Sequence, residues 1–89
     1  MKIKKGFVLT EAAGSILVVA VGDRADEFSG YVKLNSTGAF IWKMVDKKDM
    51  SIDEIATAMA KEYDISEDVA KHDVIDFENT LVSAGIAER

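Results

Sequence analysis

Hydrophobic positions change their period once along this 89-residue chain. Up to Leu34 they alternate or run in short β-branched blocks, as strands do; beyond it they recur every three or four residues, as helices do. Gly6 to Glu11 predicts a first strand and Ser15 to Val21 a second, with Ala12-Ala13-Gly14 as the turn. Ile16-Leu17-Val18-Val19-Ala20-Val21 is apolar on both faces, so the second strand is expected at the centre of the sheet or covered on both sides. Gly22 to Gly30 reads as a polar loop. Tyr31-Val32-Lys33-Leu34 predicts a third strand, with Val32 and Leu34 on one face and Tyr31 and Lys33 on the other. Short, half polar and ending at a helix cap, it reads as an edge.

The first predicted helix runs from Ser36 to about Asp46. Asn35 or Ser36 can cap it by accepting from unpaired N–H groups of the first turn. Gly38 in that turn costs roughly 1 kcal/mol of helix propensity relative to Ala, which points to a close approach by another backbone. Phe40, Ile41, Trp42, Met44 and Val45 leave almost no polar face, so burial nearly all round is expected. Lys47-Lys48-Asp49 then connects to a second helix. Ser51 and Glu54 have the spacing of a capping box, and Ile52, Ile55, Ala56, Met59 and Tyr63 form the expected buried stripe. Asp64-Ile65 makes a corner. Ser66 caps a third helix, whose dipole favours Glu67 and Asp68 in its first turn. Gly85 suits the position past its end, and Ile86 and Ala87 can fold back onto the core. The prediction is one α+β domain over residues 1–89. A three-stranded antiparallel sheet is followed by three helices, the last two in a helix–turn–helix, so the whole is winged-helix-like.

Composition narrows the chemistry. Without cysteine there is no disulfide framework, thiol nucleophile or thiolate metal site. Sixteen acidic residues against eleven Lys and Arg leave a net charge of −5, which weighs against a nucleic-acid partner. The third helix sharpens this, because Glu67, Asp68, Asp73, Asp76 and Glu78 outnumber Lys71 and would repel phosphates in a major groove. Lys2, Lys4 and Lys5 before Phe7-Val8-Leu9 imitate a signal peptide, but Glu11 interrupts the apolar run. Ile16 to Val21 is too short to span a bilayer. The expectation is a cytoplasmic chain with no membrane partner.

No catalytic constellation emerges. His72 is the sole histidine, spaced i, i+4 from Asp76, and further ligands of the right type are not marked by spacing. The glycines fall singly, and no serine sits in a nucleophile elbow. The expectation is therefore a non-enzyme without metal or cofactor. On the third helix Ala70, Val74, Phe77, Leu81 and Ala84 form the core face. Ile75 and Val82 lie roughly 120–140° away, beside Lys71 and Glu78. This second apolar strip is either incidental surface or the wall of a groove.

Several of these residues carry a resemblance. Gly6-Phe7-Val8-Leu9, Leu34-Asn35-x-Thr37-Gly38-Ala39-x-Ile41-Trp42, Ile55 and Tyr63, Asp73-Val74-x-x-Phe77-x-x-x-Leu81 and Gly85-Ile86 together resemble the PqqD family, also called RiPP recognition elements. Lys47-Lys48-Asp49-Met50 departs from the Asp-Gly turn often found there in the family. The resemblance implies a peptide-binding adaptor. The leader of a ribosomally made precursor adds as a strand to the third strand, settles against the third helix, and is presented to a maturation enzyme, often a radical SAM protein. It implies a site at Tyr31, Val32, Lys33 and Leu34, with Lys71, Ile75, Glu78 and Val82 as the facing wall. The opposite flank of the helix, with Val69, Asp73, Asp76 and Thr80, is the alternative wall. A DNA-binding winged helix and a protein-docking subunit without peptide binding are the competing readings. An exposed edge strand can also pair with its own copy, so monomer and homodimer are both open.

Overall fold

The computed structural model describes residues 1–28 and 30–89. In chain order the elements are β1 (Lys2–Ile3), β2 (Phe7–Ala12), β3 (Ser15–Ala20), α1 (Arg24–Glu27), β4 (Tyr31–Leu34), α2 (Ser36–Val45), α3 (Ile52–Tyr63), α4 (Glu67–Ser83) and β5 (Ala87–Glu88). The α+β architecture expected from the pattern is present, with β2-β3-β4 as an antiparallel sheet and β3 at its centre. Ala13 and Gly14, with φ of 51° and 79°, make the two-residue turn whose twist matches the flanking strands.

Three features depart from the pattern. The polar loop contains the single-turn helix α1, held by Arg24, whose side chain donates to the Lys5 carbonyl at 3.1 Å and lies over the Phe7 ring. Ser29 of that loop lies outside the described residues. The chain ends form a small second sheet, β1 with β5, pairing Lys2 with Glu88 and Ile3 with Ala87. Strands of two residues carry no periodicity, and the pattern pointed only to the return of Ile86 and Ala87 to the core. Third, β3 is central as expected, yet although it is apolar on both sides no element among the described residues covers the outer face of the sheet. Val8 and Tyr31 are exposed there, and Leu17 and Val19 are half-buried.

The opposite sheet face supplies Phe7, Val18 and Leu34 to a core completed by the helices. Asn35, not Ser36, caps α2, its side chain accepting from Gly38 N at 2.8 Å. Ile41, Trp42 and Val45 are fully buried, each contributing roughly 1.5–3 kcal/mol by leaving water. Burial all round is not reached: Phe40 and Met44 are half-buried and Lys43 is exposed. The capping box of Ser51 and Glu54 forms as expected. Tyr63, expected in the buried stripe of α3, stands 37 % exposed and meets Phe40 edge-on. Ser66 caps α4, and Ala70, Val74 and Leu81 are its wholly buried residues. Ile86 is equally buried after the turn at Gly85, whose φ is +80°.

Candidate functional site

The sheet ends at β4, and the phase of its hydrogen bonds decides which backbone groups are free. Val21 N–H donates to the Gly6 carbonyl at 2.8 Å. Hydrogen-bonded and non-bonded pairs alternate along an antiparallel ladder. The bonded pairs of β2 and β3 are therefore Val8 with Val19, Thr10 with Leu17 and Ala12 with Ser15. The intervening residues of β3 turn their groups toward β4, which makes Val18–Val32 and Ile16–Leu34 the bonded pairs there. The N–H and C=O groups of Tyr31 and Lys33 consequently point away from the sheet. Among the described residues no other strand takes them up.

Beside the end of β4 opens a cleft of about 310 Å³. Asn35, Thr37 and Gly38 of the cap and first turn of α2 form one wall; Asp73, Asp76 and Thr80 of α4 form the other. Ile41, Met59 and Phe77 give it an apolar floor. Gly38 is what lets the walls approach. A Cβ there would stand 3.0 Å from Phe77 Cε1 and 3.2 Å from Asn35 Oδ1. The expected backbone neighbour is not what meets this glycine; the close approach is by side chains, foremost the Phe77 ring.

Of the residues singled out in the sequence, Tyr31, Val32, Lys33 and Leu34 form the open edge, with Leu34 buried and Tyr31 and Lys33 exposed. Lys71, Ile75, Glu78 and Val82 do not line the cleft. Lys71 pairs with Asp53 of α3 at 3.1 Å. Glu78 is 8 % exposed and faces Arg89, 3.9 Å from its Nε. Val82 is half-buried against the core, and Ile75 is exposed. The alternative flank is the one at the cleft. Helical spacing made both flanks equally available. The signal that separates them is the pairing of a helical glycine with an aromatic residue, Gly38 with Phe77, which a single sequence does not display as a contact.

His72 lies 3.4 Å from Asp76 and both are exposed. Among the described residues no group of three or more His, Asp or Glu side chains could hold a metal ion. No helix among them is long and apolar enough to cross a membrane.

The whole arrangement has a structural relative. The structure of TbiB1 in complex with the TbiA(beta) leader peptide superposes with a TM-score of 0.76 at 22% identity, covering 99% of this chain and 95% of that one. Its fold is therefore shared. No curated protein matched the sequence. The family model described as coenzyme PQQ synthesis protein D (PqqD) matches residues 7–87, from the first strand of the hairpin to the last residues of the core, and the chain accordingly belongs to the PqqD family.

Proposed function

We propose that this protein is a non-catalytic adaptor that binds the leader of a ribosomally made precursor peptide and presents it to a modifying enzyme, of the radical SAM class or another. The leader adds as a strand along β4, pairing with the outward N–H and C=O groups of Tyr31 and Lys33. Alternate side chains of the leader settle in the cleft between the start of α2 and α4. Membership in the PqqD family and the likeness to TbiB1, a protein solved with a leader peptide bound, support this class of ligand.

The observation that carries the reading is the juxtaposition of an edge that no strand among the described residues pairs with and an apolar-floored cleft at its end. Backbone pairing supplies affinity tolerant of sequence, and the pockets for alternate side chains supply selectivity. A dissociation constant on the order of micromolar, about 8 kcal/mol, suits an adaptor that must release its peptide.

Proline substitution tests the mode of binding. Lys33→Pro deletes an outward N–H and leaves the ladder to β3 intact, since proline is tolerated on the open side of an edge. Affinity for leader peptides encoded near this gene is expected to fall about tenfold, the equivalent of one lost hydrogen bond. A folded Lys33→Pro protein with unchanged affinity would rule out strand addition at β4.

A further inference from the structure

The cleft is charged on one wall only. Asp73 and Asp76 are both exposed there, above the apolar floor. Among the described residues neither pairs with a Lys or Arg; Asp76 has only His72 nearby, and Lys71 of the same helix is engaged by Asp53. The outer face of β4 carries the opposite sign, with Lys33 exposed and unpaired among the described residues.

Directly opposed residues of neighbouring strands share a face, and successive residues alternate faces. A strand added to β4 therefore turns one set of side chains inward with Val32 and Leu34, toward the cleft. The other set turns outward with Tyr31 and Lys33. Asp73 and Asp76 are separated by about 4.5 Å along the helix axis. Two inward side chains of a strand stand about 6.7 Å apart. One inward side chain can therefore reach both carboxylates, and the next in its set falls beyond them.

Resting on the adaptor reading, we propose that the peptide class taken by this site has alternating charge. A Lys or Arg in the inward set reaches Asp73 and Asp76, an apolar residue two positions away packs over Gly38 and Phe77, and an Asp or Glu in the outward set lies beside Lys33. The aliphatic stem of a Lys or Arg covers the Phe77 ring while its head stays at the carboxylates. A peptide with an acid in the inward set meets two like charges instead.

The test is selection of a random peptide display library on three proteins: wild type, Asp73→Asn/Asp76→Asn, and Asp73→Lys/Asp76→Lys. All four substitutions are at exposed helix positions and are expected to leave the fold intact, which circular dichroism of each variant checks. Wild type is expected to enrich peptides with a base and an apolar residue two apart and an acid between or beside them. These peptides should bind the Asn variant about fivefold more weakly, as for a solvent-exposed ion pair, and the difference should shrink in high salt. The Lys variant should enrich acids at the inward position. Peptides that bind and shift the Tyr31 and Lys33 amides, yet show no basic preference on wild type or the same preference on all three proteins, would overturn the charge assignment and leave strand addition standing. Enriched peptides that leave the Tyr31 and Lys33 amides unshifted, or a library with no binders, would overturn both.

Discussion

Gly38 is the residue on which the cleft depends most. Alanine there restores roughly 1 kcal/mol of helix propensity, but its methyl group would meet the Phe77 ring at 3.0 Å. Phe77 is half-buried and borders open space, so the ring can yield by moving into the cleft. Gly38→Ala is therefore expected to change stability by less than about 1 kcal/mol while weakening leader binding, as read by denaturant titration and by calorimetry. A large loss of stability would mean that the ring has nowhere to go.

Ser51 and Glu54 offer a second test at this scale. Backbone and side-chain hydrogen bonds with Ser51 hold the Glu54 carboxyl below its ordinary pKa, with Lys48 adding a smaller effect in the same direction. A carboxyl whose folded pKa is depressed contributes stability that is fully present above its unfolded pKa and is lost as pH falls through the folded value. Glu54→Gln removes the carboxylate that these hydrogen bonds favour, the larger of them coming from the Ser51 backbone N–H. The deficit of this variant relative to wild type should be greatest near neutral pH and shrink in acid, a trend that thermal melts across the acid range would read. A constant deficit would show that the carboxylate takes no part in the cap.

At the scale of elements, α4 presents two unlike flanks. Asp73, Asp76 and Thr80 border the cleft, whereas Lys71 and Glu78 are engaged with Asp53 and Arg89. Ile75→Asp, at an exposed position away from the cleft, should leave peptide binding unchanged. Phe77→Ala should abolish most binding at a stability loss of up to about 3 kcal/mol, since its ring is only half-buried. Binding lost on Ile75→Asp and kept on Phe77→Ala would place the peptide on the other flank. Helix starts were legible because Ser51, Glu54 and Ser66 are chemical signals local in sequence, and the edge position of β4 was legible from its shortness and half-polar alternation. Which flank of α4 borders the cleft was not, because it depends on how α4 is rotated where it packs on α3. Nor were α1, β1 and β5, elements too short to carry a period, held by contacts such as Arg24 with the Lys5 carbonyl and Lys4 with the Ile86 carbonyl.

Across the whole molecule, both β2 and β4 are edges without a further strand among the described residues, and the chain ends pair with each other elsewhere; only the β4 edge has the cleft at its end. The ends meet in the β1–β5 ribbon, and the Met1 amine donates to the Met50 carbonyl at 2.7 Å. The hairpin fixes β3, the register of β3 fixes the hydrogen-bond phase of β4, and that phase turns the N–H and C=O groups of Tyr31 and Lys33 outward, where no strand among the described residues pairs with them. The α2 cap at Asn35 then sets the cleft at the end of this edge. On the proposed function, a leader peptide completes the sheet at these two residues. Amide hydrogen exchange, followed residue by residue by NMR with and without a leader peptide encoded near this gene, tests it directly. The predicted result is strong slowing at Tyr31 and Lys33 on binding, with little change at Val32 and Leu34, already paired to β3. Binding that leaves the Tyr31 and Lys33 amides exchanging as fast as in the free protein would contradict it.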